Sequence, residues 1–408
     1  MKKQLRWLAV VGVLTLVAAA CGSDDGDGGG SGSTGGDGGG STGPVAIDTI
    51  GTGEGELSLI AWPGYTEKGW VKPFEDETGC QVTVKYGNTS DEMVNLMRQG
   101  GGSQYDGVSA SGDATNRLIA AGDVAAVDVD ALFPDYADVM PSLQSPAHNT
   151  VEGVHFGVPY MWGPNLLMFN TDVVTTAPTS WASVFETTLD GAANPYAGNV
   201  TAYDSPIYIA DAALYLSTTN PDLGITDPYE LTQEQLTAAT DLLKQQAGMI
   251  KKYWAVYTDE IDGFNAGDMV IGTAWPVNFQ YTAAAGKVPV EVVIPSEGVT
   301  GWADTWMMSS NAPHPNCMLM WMEYTLRPDV QTQVAEFYGA TPSNTASCEQ
   351  LNADLGADAE SYHCGDDAFL SQVKLWKTPL SECGDDRGQA CMDYSAWTNA
   401  WTEICGAG

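Results

Sequence analysis

From residue 56 onward, short apolar runs alternate with segments of helical period, and this alternation constrains the fold more than any other feature of the chain. LSLIAW and QVTVKYG have strand composition. Between them, residues 67–78 place Trp70, Val71 and Phe74 at helical spacing before Gly79 closes the turn. Residues 91–99 gather Met93, Leu96 and Met97 on one face, YDGVSA reads as a third strand, and residues 113–121 read as a helix ended by Gly122. Such an order predicts a parallel sheet covered by helices. Further along, GVPYMWGPNLLMFN, GNVTAYD, MVIGTAW and VPVEVVIP read as strands. SWASVFE and residues 207–217, 232–246, 315–326 and 329–338 read as helices. No internal repeat appears, and no nucleophile elbow, Walker loop or dinucleotide fingerprint occurs.

A different kind of sequence precedes this pattern. Lys2, Lys3 and Arg6 lead into an apolar run at residues 7–20, which ends Ala18-Ala19-Ala20-Cys21. A basic start, a run too short to span a bilayer and small residues before a cut make residues 1–20 a secretory signal peptide. The cut point resembles a bacterial lipobox, with Ala18 where that motif usually has Leu. The resemblance implies lipidation of Cys21 and an extracytoplasmic protein anchored to the outer face of the bacterial cell membrane. Residues 22–44 contain 12 Gly among 23 residues and cannot build a core, so residues 21–55 are expected to act as a flexible tether.

The formal charge is −36, from 16 basic against 52 acidic side chains. Phosphate backbones and anionic membrane surfaces call for the opposite sign, so no nucleic-acid partner is expected. A cationic partner suits the balance. The excess of acid is nevertheless far more than one ligand site could use, and it reads as a surface-wide adaptation of the kind high salt selects. Seven further cysteines occur, five of them in the last 61 residues, with no CxxC pair and four scattered histidines. That spacing offers no zinc site, and neither metal nor cofactor is expected. In an exported chain, Cys348–Cys364 and Cys383–Cys391 are the expected local staples, with Cys317–Cys405 a third and Cys80 a buried free thiol.

The phrases LSLIAWPGY, FEDETGCQV, YDGVSAS, GVPYMWG, SWASVFE, GDMVIGTAW, VIPSEGVTGWADTW and LRPDVQTQVAEFYGATPSN follow one another between residues 57 and 344. In that order they resemble the extracellular solute-binding proteins of ABC importers, in particular the spermidine/putrescine-binding branch. The resemblance implies an α/β, two-lobe periplasmic-binding-protein-like fold of type II with a ligand cleft between the lobes. Residues 56–165 and 305–344 would form lobe 1, and residues 166–304 and 345–408 lobe 2, with crossings near 163–170, 301–304 and 344. It implies no enzymatic activity. The expected partners are a small cationic solute and an ABC permease that reads lobe closure, and the protein is expected to be a monomer.

Carried over residue by residue, the resemblance makes Trp62 and Tyr65 an aromatic pair at the carboxyl end of the first strand, with Trp275 and Trp302 as further walls. Ring faces attract cations and accept methylenes, which suits a polyamine. Asp304 matches the amine-binding carboxylate, Asp204 a second carboxylate and Ser111 a polar contact. Asp113 stands where a Tyr is usual, either as a further charge or as a helix N-terminal acid. This chain also departs from the pattern. Ile207 replaces a Glu, Pro63 and Gly64 replace polar or acidic residues, and YGATPSN lacks a Tyr unless Tyr338 stands in. Fewer acids would face the cleft than a triamine wants, so a diamine or another small cation fits better. Lys377 near the cleft would instead suit a zwitterion. A sugar receptor would use the same rings, whereas a glycosidase or a stalked adhesin finds no support in the motif order.

Overall fold

The computed structural model describes residues 46–385 and 387–407. The expected signal peptide, the expected lipidation site at Cys21 and most of the expected tether lie outside those residues. The chain enters through β1 (Glu56–Ala61), β2 (Gln81–Tyr86) and β3 (Gly107–Ser111), then runs up β4 (Val158–Pro164). It crosses through Asn165 into β5 (Leu166–Asn170) and continues as β6 (Val200–Tyr203), β7 (Ile250–Trp254), β8 (Ile271–Ala274) and β9 (Val290–Val293). It returns as β10 (Val299–Met308), β11 (Thr341–Pro342) and β12 (Val373–Leu375).

Two main sheets result. The first has the order β11–β4–β10–β3–β1–β2, with β12 beside the start of β10; the second has the order β7–β6–β8–β5–β9. The expected parallel pairing is present among β1, β2 and β3 and among β6, β7 and β8. The strands that carry the chain between the sheets (β4, β5 and β10) run antiparallel to their neighbours, apart from β12, which lies parallel to the start of β10, so both sheets are mixed.

Helices pack on both sheets because their apolar stripes match the period read from sequence. Residues Lys68–Thr78 bury Trp70 and Phe74 and stop at Gly79, whose φ of 79° lies in the left-handed region. Residues Ser90–Arg98 begin at Thr89, whose hydroxyl accepts from the Glu92 amide, and bury Met93, Leu96 and Met97. Thr232 and Gln235 form a capping box ahead of the helix Gln233–Ala247. SWASVFE supplies only one helical turn, Ala182–Phe185. The helices Tyr257–Ala266, Pro276–Ala285 and Tyr394–Cys405 were not anticipated.

Several boundaries differ from the sequence reading. Residues 46–55 are docked, not tether. Ile47 bridges Val127, and the Glu54 carboxylate accepts from the amides of Asn316 and Cys317, capping the helix Pro315–Leu326. The chain rejoins the first sheet at Val299, not after Asp304, because β10 pairs with β3 and β4 along most of its length. The tail divides its contacts: β12 extends the first sheet, while Tyr394–Cys405 packs on Gln233–Ala247 beside the second.

Disulfides join Cys348 to Cys364 and Cys383 to Cys391, as the spacing suggested. Cys80 is not a free thiol. It is bonded to Cys317, which corrects both the Cys80 reading and the Cys317–Cys405 pairing, since the two Cα atoms stand 5.8 Å apart across 237 residues of sequence. Among the described residues, no helix is long and apolar enough to cross a membrane.

Candidate functional site

The carboxyl ends of the parallel strands meet between the two sheets. Trp62 follows β1, Ser111 ends β3, Asp204 follows β6, Trp254 ends β7 and Trp275 follows β8. This is where an open α/β sheet presents loop residues to a ligand. Gly64 shapes the first of these loops. Its φ is 96°, and a Cβ there would lie 3.0 Å from the Tyr338 ring, so the turn that returns the Tyr65 amide to the Trp62 carbonyl requires glycine.

Two adjoining chambers occupy the cleft. The first, a cavity of about 20 Å³, is lined by Trp62, Tyr65, Ser111, Trp275, Trp302, Asp304, Tyr338 and Trp376. The second, also about 20 Å³, shares Trp62, Trp275 and Trp376 and adds Tyr203, Asp204, Trp254 and the segment Asn88, Thr89 and Ser90. Each chamber contains one aspartate, and among the described residues that line them there is no Lys, Arg or His.

Asp304 is held by register. β10 runs antiparallel to β3 and pairs Asp304 with Ser111, whose hydroxyl donates to Oδ1. The Tyr65 hydroxyl donates to Oδ2 at 2.6 Å. The side chain is 3% exposed, and burial raises its carboxyl to about 7; the two hydroxyl donors oppose that rise and the nearby Asp113 adds to it. A cation would repay the desolvation directly. Asp204 receives the Trp401 indole N–H on Oδ1 at 2.9 Å, and its carboxyl too is raised by burial.

The rings form a continuous wall. Trp254 meets Trp275 edge-on at 4.6 Å, Trp275 meets Trp62 at 6.4 Å, and Tyr203 lies 5.5 Å from Trp376. Tyr338, the residue that opens YGATPSN, lies 5.2 Å from Tyr65 and 6.2 Å from Trp302 and so stands in the cleft where the phrase itself has no later Tyr.

The cleft thus brings together Trp62, Tyr65, Ser111, Trp275, Trp302 and Asp304 in one chamber and Asp204 in the next. Asp113 lines neither. It is buried behind Ser90, whose hydroxyl donates to Oδ1 at 2.9 Å, and burial raises its carboxyl to about 6. Ile207 is buried in the turn after Asp204 and lines neither chamber. Lys377 is also absent from the walls; its ammonium is held by Asp227 at 2.7 Å and Glu230 at 2.6 Å. Sequence reasoning missed Tyr203, Trp254, Trp376 and Trp401. Trp254 could have been found as an aromatic at a strand's carboxyl end, but IKKYW, with Lys251 and Lys252 exposed, did not read as a strand. Among the described residues, no group of three or more His, Cys, Asp or Glu could hold a metal ion.

A two-sheet α/β protein with a cleft between the sheets is the architecture of type II periplasmic binding proteins. The substrate-binding protein of the spermidine/putrescine ABC transporter of Streptococcus pneumoniae superposes with a TM-score of 0.64 at 17% identity, covering 86% of this chain and 99% of that one. Residues 69–360 match the family model for bacterial extracellular solute-binding proteins, and the chain belongs to that family. Its relatives include the spermidine/putrescine-binding periplasmic protein of Escherichia coli K12, 24% identical over 312 residues (75% of this chain, 82% of that protein). Another is a putrescine/agmatine-binding protein of Pseudomonas aeruginosa, 25% identical over 335 residues (78% of this chain, 87% of that protein).

Proposed function

We propose that this protein is the membrane-anchored receptor of an ABC importer and captures a polyamine, with a diamine such as putrescine as the best fit. The observation that carries the reading is the pair of aspartates in adjoining chambers, Asp304 and Asp204, joined by a wall of indole rings. An ammonium at each end would find a carboxylate, and the methylenes between would lie on ring faces. The named ligands of the curated relatives support the same class of solute.

In this reading the two lobes close over the ligand, and the closed form docks on the permease. The chain segments at Pro164–Leu166 and before Val299 serve as the hinge. Residues 1–20 direct export, Cys21 carries the lipid, and the stretch from Cys21 to the docked residues tethers a monomeric receptor to the membrane. Binding releases protons, because Asp304 is partly protonated near neutrality without ligand and ionised beside a cation.

A thermal-shift series with putrescine, spermidine, choline, γ-aminobutyrate and glucose tests the reading. At 1,000 times its dissociation constant a ligand stabilises by about 4 kcal/mol, a clear shift. Putrescine is expected to give the largest shift. A shift with glucose or γ-aminobutyrate alone would contradict the cation assignment and leave the fold untouched.

A further inference from the structure

The last helix of the chain reaches the second chamber without lining it. In Tyr394–Cys405 the apolar residues Trp397, Trp401 and Ile404 recur at helical spacing and are buried, so one face of the helix is committed to the protein interior. Several contacts fix its seat. The Met392 amide donates to the Leu231 carbonyl at 2.8 Å, and Asp393 caps the first turn by accepting from the Ala396 amide at 3.1 Å. Tyr394 lies under the Arg117 guanidinium, 4.0 Å from the ring centre, and near the other end Glu403 pairs with Lys244 at 2.6 Å.

On this support the Trp401 ring is held edge-on between two tyrosines, Tyr253 at 5.2 Å and Tyr208 at 6.0 Å. The packing fixes the plane of the indole and with it the direction of its N–H, which donates to Asp204 Oδ1 at 2.9 Å. Trp70 and Trp181 also donate, but to backbone carbonyls, where the bond serves the fold. The acceptor of Trp401 is a carboxylate in the wall of the second chamber. The backbone of Asp204 is secured separately, through its amide to the Trp254 carbonyl at 2.8 Å. The indole bond acts on the side chain. Burial raises the Asp204 carboxyl and the bond from Trp401 opposes that rise, because a donor on a carboxylate favours the charged form.

Resting on the reading of Asp204 as partner of one ammonium, we propose that Trp401 is the positioning residue of that carboxylate: it holds Asp204 in the chamber wall for the cation and does not itself touch the ligand. Trp401 lies beyond residues 69–360, the part that matches the family model, so the C-terminal helix is an addition that serves the binding site.

A double-mutant cycle tests this. Trp401→Phe keeps a ring between Tyr208 and Tyr253 and removes only the N–H. In calorimetric titrations with putrescine it should bind about tenfold more weakly than wild type, the effect of one hydrogen bond to a charged group. In the Asp204→Ala background the same replacement should change the affinity by less than about twofold, because the acceptor is already gone. A spectroscopic signature accompanies the cycle. The Trp401 indole N–H resonance, identified by its absence in Trp401→Phe, should move when saturating putrescine is added to wild type and stay in place in Asp204→Ala. Trp401→Leu, which also lacks the donor, reads the same cycle if the phenylalanine variant does not fold. Wild-type affinity in Trp401→Phe, or an equal loss with and without the Asp204 carboxylate, would overturn the positioning role and leave the receptor reading intact. Failure of wild type to bind putrescine, or equal binding by wild type and Asp204→Ala, would instead remove the reading of Asp204 on which the proposal rests, and the proposal with it.

Discussion

At the scale of single residues, the site is built from groups that the fold would be more stable without. Asp304 is a buried carboxyl raised by burial to about 7, with no cationic side chain among the described residues that line its chamber. A raised acid keeps its proton in the folded chain while the unfolded chain releases it. Stability is therefore lost as pH rises from about 4 through 7 and stays lost above. Asp304→Asn removes that penalty. Ligand-free Asp304→Asn is expected to melt above wild type at pH 8 and level with it at pH 4, as differential scanning calorimetry would show. A variant that melts below wild type at pH 8 would mean that the carboxylate contributes structure and not function. Asp304, Trp302, Tyr65 and Trp62 were legible in sequence because each lies within a phrase of the family pattern. Trp376 was not, because β12 is three residues long and carries no period to read.

At the scale of elements, long amphipathic helices and β-branched strands were readable to within a residue or two, as Lys68–Thr78 and Pro315–Leu326 show. Strand direction was not. β10 was split between lobes in the sequence reading, yet it is a single ten-residue strand buried throughout, and alternation cannot mark a strand that is covered on both faces. The cysteines divide in the same way: pairs close in sequence were evident, whereas Cys80–Cys317 depends on a tertiary contact between the start of β2 and the helix Pro315–Leu326. Because that bond closes 237 residues and Cys383–Cys391 closes eight, the two should differ in worth. Loop entropy gives roughly 5 kcal/mol for the first and roughly 2–3 kcal/mol for the second. Paired serine replacements at Cys80 and Cys317 are expected to lower the melting temperature more than those at Cys383 and Cys391. Equal losses would show that the long bond is dispensable to the assembled sheet.

At the scale of the whole molecule, the charge is −36, and most of the basic side chains among the described residues are paired with acids. Most acids therefore repel one another without compensation, and salt screens them over about 10 Å at 0.1 M and 3 Å at 1 M. The melting temperature is expected to climb as KCl is raised from 0.1 to 2 M; a flat or falling curve would refute the high-salt reading of the composition. The cleft lies within that field, which draws cations toward it at low salt. The central claim, that Asp304 and Asp204 hold the two ends of one dication, is tested most directly by calorimetric titration of putrescine into wild type and Asp304→Asn at pH 8. The account predicts one site per chain in wild type and a loss of about 100-fold in affinity on removing one buried charge partner. Putrescine binding to Asp304→Asn with wild-type affinity would contradict it.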